Sequence, residues 1–186
     1  SLALELHERY PDNRMHFVAH LGMRCATMRE AIEQWQKYAF LVAETDEVGY
    51  RLCGPQALFF YHCRDARYAS HWFAEHYMAQ ALHYARTFTG VPLRLHEARF
   101  KHADPGYREV YERVFDAPIQ FGADDNALLF DANQLDLPFK SADPYLRHFL
   151  TSQADELMAK LEPEARTDNR VMQALSVLQS KGEALT

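Results

Sequence analysis

Residues 115–146 read F-D-A-P-I-Q-F-G-A-D-D-N-A-L-L-F-D-A-N-Q-L-D-L-P-F-K-S-A-D-P-Y-L, and this stretch carries the most structural information in the chain. Two short apolar runs, Ile119–Phe121 and Ala127–Phe130, flank the polar residues 124–126. Asp, Asp and Asn at that point are typical of a tight turn. The stretch therefore predicts two strands that pair as a hairpin.

A helix is predicted directly after this hairpin. Asp143 followed by Pro144 matches the N-cap and the first position of a helix. A polar linker at 163–169 and a short last helix at 170–179 follow it. The first of these two helices contains the apolar residues Leu146, Phe149, Leu150, Leu157, Met158 and Leu161.

Further strands are predicted upstream. Short β-prone runs at 50–53 and 57–61 surround Gly-Pro-Gln, which indicates another hairpin. The segment Leu93–His102 is the next strand, and its apolar alternation slips midway. That slip predicts a bulge near Glu97.

Helices are predicted between these strands and before them. Thr27 with Glu30 three residues later forms a capping box. A long helix is predicted over Tyr68–Thr89, which Gly90 ends, and Asp104-Pro105 predicts the start of another. A helix is also expected over residues 13–25. In the three helices expected after Thr27, over Tyr68–Thr89 and after Asp104-Pro105, apolar residues share one face. In chain order these faces are Ala31, Trp35, Tyr38 and Val42; Phe73, Tyr77, Ala81, Tyr84 and Phe88; and Tyr107, Val110, Tyr111, Val114 and Phe115.

The order of these elements predicts an α+β fold. Few strands are present and most are linked by hairpins, so the sheet is expected to be small and mainly antiparallel. Helices are expected to pack on it, with further helices at the C-terminal end.

Composition excludes several classes of protein. The 186 residues include 20 Lys and Arg against 26 Asp and Glu, a net charge of −6, which argues against a DNA-binding surface in these residues. Three cysteines without a C-x-x-C pair fit a reducing compartment. No signal peptide and no apolar run of bilayer length is found, so we expect a cytoplasmic location and no membrane contact.

Several motifs together resemble one known family. T-M-R-E-A-I at 27–32, the pattern Ala98-x-Phe100-x-His102, and the spaced residues from Phe115 to Pro144 are similar to the effector-binding domain of AraC-type transcription regulators. That domain precedes a helix-turn-helix DNA-binding region. The similarity extends over roughly residues 13–161.

The resemblance implies a non-enzymatic sensor without a cofactor. Residues 1–162 would form an effector-binding and dimerisation domain, and residues 163–186 a linker and the start of a truncated helix-turn-helix region. The partners implied are a small-molecule effector of unknown class, DNA through the missing C-terminal domain only, and a second copy of the chain. We expect the homodimer to form through the helix ending at Leu161.

A pocket for the effector is expected where aromatic rings and imidazoles adjoin. Such a composition is typical of small-molecule sites, although a filled core explains the same rings. The predicted ligand-binding residues are Tyr61, Trp72, His76, Tyr77, His83, Phe100 and Phe121.

Two other functions remain open from the sequence. Ten histidines, with His71 and Glu75 one helical turn apart, suggest a metal-binding protein or an enzyme of unknown reaction. No H-E-x-x-H motif or Cys/His cluster completes a metal shell, so we predict neither a metal site nor catalytic residues. An interaction domain without a ligand is the third reading.

Overall fold

The computed structural model describes residues 2–9, 15–67 and 69–161, and for residues 7–9 only the backbone. The predicted linker and last helix, 163–179, lie outside the described residues, as does the start of the helix expected over 13–25. Within the described residues the α+β class is confirmed, because helices pack on one mostly antiparallel sheet.

Six helices and five strands make up the described fold. The helices are α1 (Leu2–Arg9), α2 (Phe17–Gly22), α3 (Met28–Tyr38), α4 (His71–Thr89), α5 (Arg108–Phe115) and α6 (residues 144–161). The strands are β1 (Asp46–Cys53), β2 (Gln56–Cys63), β3 (Leu95–Phe100), β4 (Ile119–Phe121) and β5 (Asn126–Asp131).

The sheet has the order β1-β2-β5-β3-β4. The hairpin predicted between residues 50–53 and 57–61 is confirmed, since β1 and β2 pair in antiparallel register up to Cys53 opposite Gln56. The bulge predicted near Glu97 is also confirmed, as the register between β3 and β5 shifts between Leu95 and Glu97. β5 lies in the centre of the sheet, with Tyr61 of β2 opposite Asn126.

The predicted hairpin between Ile119–Phe121 and Ala127–Phe130 is wrong. β4 pairs in parallel with β3, where Ala98 lies opposite Ile119, and β5 pairs with β2 and β3 instead. The reason is the helix between the two strands. Because α5 crosses over from the end of β3 to the start of β4, the two strands run in the same direction.

The main core lies between α4 and one face of the sheet. Met78 and Leu82 of α4 pack with Phe59 of β2 and Leu128 of β5, and all four are buried. Leu4 of α1 is also buried in this core. Burial of these side chains stabilises the fold through the hydrophobic effect.

One predicted helix face is wrong in part. Phe73, expected on the buried face of α4, is 59% exposed. The sheet contacts the adjacent row of Ala74, Met78 and Leu82 instead. Two neighbouring rows of α4 are apolar, so periodicity alone does not say which one faces the sheet.

Several predicted helix limits are also wrong, since α2 ends at Gly22 and α4 begins at His71. α5 begins at Arg108 and not at Asp104-Pro105, because Asp104 Oδ1 accepts a hydrogen bond from the backbone N of Gly106 and forms a local turn. α3 ends at Tyr38, and a 3₁₀ turn over Ala39–Leu41 leads the chain toward β1.

Most predicted caps are confirmed. Thr27 Oγ1 accepts a hydrogen bond from the backbone N of Glu30, although the Glu30 carboxylate returns to the N–H of Ala26 and not to that of Thr27. The Asp143 side chain accepts from the backbone N of Leu146 at the start of α6. These bonds satisfy backbone donors that have no partner inside the helix.

Gly90 ends α4 in the left-handed region at φ 67°. We expect Gly90→Ala to lower the free energy of unfolding by about 1–2 kcal/mol, because a Cβ is disfavoured at positive φ. The new Cβ would also contact the Lys140 side chain, which has to move.

Urea unfolding measures this effect, and Gly22→Ala is the matched control. Gly22 is not at positive φ and an added Cβ meets no atom within 4 Å, so this change should be neutral or stabilise by about 0.5–1 kcal/mol. Equal destabilisation by both substitutions would contradict the conformational argument.

Candidate functional site

An apolar cavity of about 80 Å³ lies where α2 and α3 approach α4 above β2. The described residues that form its walls include no carboxylate, imidazole or thiol. The aromatic residues that line it are Trp35, Phe59, Tyr77, Tyr84, Phe88 and Phe139. Such a lining binds apolar groups and offers no pair of groups for acid–base chemistry.

Gly22 shows that the space is real. This residue is buried and lines the cavity, yet a Cβ built on it would meet no atom within 4 Å apart from its chain neighbours and the backbone of its own helix. Buried backbone in a filled core has close neighbours on every side. The void therefore starts at the last residue of α2.

Two polar aromatic groups border the cavity. The indole Nε1 of Trp35 is buried and has no hydrogen bond of good geometry within the described residues, and its ring meets that of Tyr77 edge-on at 6.0 Å. Burial raises the pKa of the Tyr77 phenol, and a weak hydrogen bond with the Trp35 indole acts in the opposite direction. A buried donor without a well-aligned partner costs up to about 3 kcal/mol, part of which an acceptor on a ligand would recover.

α2 separates this cavity from α6. Ala19 and Gly22 of α2 face the cavity, whereas Val18 and Leu21 pack with Ala154 of α6 in a separate hydrophobic cluster. A helix of six residues has little stability of its own. Its position therefore depends on what fills the space on each side.

A hydrogen bond at the end of α3 also holds α6. Tyr38 is fully buried, and its hydroxyl donates to Asp155 Oδ1 at 2.6 Å. Lys37 donates to the same oxygen at 2.8 Å. Hydrogen bonds from Lys37 and Tyr38 lower the pKa of Asp155, so the ionised carboxylate is the form that fits this contact.

The predicted ligand-binding residues are distributed over several places. Tyr77 lines the cavity, and the ring of Tyr61 stacks on the ring of Tyr77 with centroids 4.2 Å apart. His83 lies on α4 beside Tyr84, a lining residue, at 6.0 Å. Only this part of the predicted set adjoins the apolar cavity.

The other four predicted residues lie elsewhere. Trp72 is 62% exposed and shares an open groove beside α1 with His76, and burial lowers the pKa of that histidine. Phe100 is fully buried in the main core, and the ring centroids of Phe121 and Phe100 are 6.1 Å apart. Sequence reasoning missed Gly22, Met23, Ile32 and Gln80 as lining residues. A glycine, an apolar aliphatic side chain or a single amide on a helix carries no signal that sets it apart from other residues in the sequence.

The spacing of His71 and Glu75 does not produce a metal site in the described structure. Glu75 is fully buried, and its Oε1 accepts hydrogen bonds from Tyr107 at 2.6 Å and Tyr111 at 2.5 Å. Within residues 2–9, 15–67 and 69–161, no group of three or more His, Cys, Asp and Glu side chains is placed to hold a metal ion.

Comparison with known families identifies the class of the domain. Residues 1–139 match the family model of the N-terminal arabinose-binding domain of AraC transcription regulators. The chain belongs to this family, which confirms the resemblance seen in the sequence. Domains of this type are therefore the N-terminal parts of transcription regulators.

A solved structure shows the same fold. The chain is similar to the transcriptional regulator CdpR from Pseudomonas aeruginosa, with a TM-score of 0.63 and 18% identity. The match covers 76% of this chain and 46% of CdpR, so the chain spans about half the length of that regulator. No curated protein matches the sequence. Among the described helices, none is long and apolar enough to cross a membrane.

The start of α2 generates a prediction about pH. His16 is the N-cap, and its Nδ1 accepts a hydrogen bond from the backbone N of Ala19 at 3.2 Å. Burial, and then the nearby His20, lower the pKa of His16 below its ordinary value of 6.5. The unfolded chain therefore binds more protons, and stability falls as pH drops from about 6.5 through the lower folded pKa.

His16→Asn is the control, since Asn caps a helix without titrating. We expect unfolding free energies, measured across this pH window, to fall more steeply for the wild type than for His16→Asn. Parallel pH profiles for the two proteins would show that the His16 cap does not contribute.

Proposed function

We propose that this chain is the sensory domain of an AraC-type regulator and binds a small-molecule effector in the apolar cavity. The observation that carries the proposal is the void beside Gly22, which separates two packed helical layers and has aromatic walls. A domain that binds no ligand would be more stable with such a void closed, because a cavity lowers the free energy of unfolding.

The lining indicates an effector with an apolar body. One hydrogen-bond acceptor on it would meet the buried indole N–H of Trp35. The space of about 80 Å³ is smaller than the 300–1,000 Å³ usual for ligand pockets. A ligand therefore has to displace a wall, and α2, with six residues, is the shortest helix among the walls.

Displacement of α2 provides a route for the signal. Leu21 and Val18 move with α2 against Ala154 of α6, so occupancy of the cavity changes how α6 docks. We propose that residues 1–162 form the effector-binding and dimerisation domain. Residues 163–186 would then be a linker and the first part of a helix-turn-helix region that contacts DNA. The effector shifts the population of two arrangements of α6.

The exposed side of α6 suits a second copy of the chain. Tyr145, Phe149 and Leu157 are 85%, 55% and 43% exposed, and they follow one another at multiples of four residues along the helix. The opposite side packs inward through Leu150, Ala154 and Met158. We propose that the exposed side forms a homodimer interface in the cytoplasm. Three free cysteines support a reducing location.

Gly22→Leu tests the cavity, because the larger side chain should occupy the space of the ligand. A thermal-shift screen of apolar small molecules is expected to find a compound that raises the Tm of the wild type and of Gly22→Ala but not of Gly22→Leu. Circular dichroism checks that each variant is folded. A compound that stabilises all three proteins equally binds somewhere else and would contradict the assignment.

Phe149→Glu tests the dimer. We expect the wild type to sediment as a dimer and Phe149→Glu as a monomer, since a carboxylate buried at an interface is not compensated. Phe73→Glu, a matched exposed aromatic on α4, should leave the dimer intact. A monomeric wild type, or a dimer that only Phe73→Glu disrupts, would exclude α6 as the interface.

A further inference from the structure

A second cavity, of about 300 Å³, lies at the end of the sheet where β2 finishes and β5 begins. The first residues of α4 and the residues that follow β3 complete its walls. In contrast to the apolar cavity, it is lined by His62, His71, Lys101, His102 and Asn126.

Asn126 places an amide donor in this cavity. Its side chain is only 8% exposed, and its Oδ1 accepts a hydrogen bond from the backbone N of Lys101 at 3.0 Å. Because an N–H can donate only to the oxygen, this bond determines the orientation of the amide. Nδ2 consequently points the other way, and it has no hydrogen-bond partner within the part of the chain that the structure describes.

Basic residues share the lining with that amide, and none of the described residues that line the cavity is acidic. Lys101 provides an ammonium group, and His71 lies in the first turn of α4, whose N-terminal end favours negative charge. Both ring nitrogens of His102 contact protein atoms instead. Nδ1 lies 2.8 Å from the carbonyl O of Ala103, and Nε2 lies 3.3 Å from the Tyr111 hydroxyl. His102 is thus held in place by the protein and contributes its ring to the wall.

Two carboxylates bonded to residues near the cavity are engaged with tyrosines. Glu75 accepts from Tyr107 and Tyr111, and Asp46 accepts from the hydroxyl of Tyr61 at 3.2 Å. The cavity therefore presents donors and positive charge in a chain whose net charge is −6. A cation finds no set of ligands among the described residues, whereas an oxyanion finds complementary groups.

We propose that this cavity binds a small oxyanion, a carboxylate or a phosphate, through Asn126, Lys101 and His71. The site is separate from the apolar cavity and its existence does not depend on the effector proposed above. Tyr61, which lines the oxyanion cavity, stacks on Tyr77, which lines the apolar one. The two rings, inclined by 17°, form the partition between the cavities.

Calorimetric titration of the whole chain tests the site. Inorganic phosphate and propionate are the two probes, each balanced with chloride at constant ionic strength so that screening does not change. We expect saturable binding of one of them, and the one that binds identifies the class of oxyanion. Lys101→Gln and Asn126→Asp should each weaken that binding by about tenfold or more, the effect of losing one charge-assisted hydrogen bond.

Two controls keep the test decisive. Lys160→Gln changes an exposed lysine on α6, away from the cavity, and should bind as the wild type does. Gly22→Leu, which blocks the apolar cavity, should also retain oxyanion binding. If Asn126→Asp does not fold, Lys101→Gln and His71→Gln still test the site. No saturable binding of either probe, or equal binding by the wild type, Lys101→Gln and His71→Gln, would overturn the proposal.

Discussion

Packing of α4 against one face of the sheet is the constraint on which the rest of the structure depends. The row of Ala74, Met78 and Leu82 is buried against β2 and β5, which leaves the neighbouring row of α4 turned toward α2 and α3. A 19-residue helix cannot cover the whole sheet face. Both cavities lie where its coverage ends, one along its side and one at its first turn.

The two cavities differ in chemistry although they share a partition. Aromatic rings and the backbone of α2 enclose the first, while Lys101, Asn126 and imidazoles enclose the second. α2 is the element through which the first cavity contacts α6, because Leu21 packs on one side of a helix whose other side borders the void. The proposed sensor function requires this arrangement, since a ligand shifts an equilibrium only by contacts that differ between two states.

The candidate site was only partly predictable from the sequence. Tyr61 and Tyr77 were expected to adjoin a ligand, because aromatic residues at helical and strand spacing are visible in the chain. Gly22 and Asn126 were not, since a glycine at a helix end and an asparagine in a turn have ordinary local explanations. Their roles follow from what lies near them in space, and the neighbours of Asn126 come from β2, β3 and α4.

Motifs spread along the chain indicated the family of the domain, and the sequence by itself also determined local features: the cap at Thr27, the stop at Gly90, the bulge near Glu97 and the hairpin of β1 and β2. These depend on residues within a few positions of one another, where backbone sterics and hydrogen bonds dominate. Only the tertiary structure decided the parallel pairing of β3 with β4, the exposure of Phe73 and the positions of the cavities. Those outcomes depend on which apolar faces meet across the chain, and hydrophobic burial is not directional enough to specify this from spacing alone.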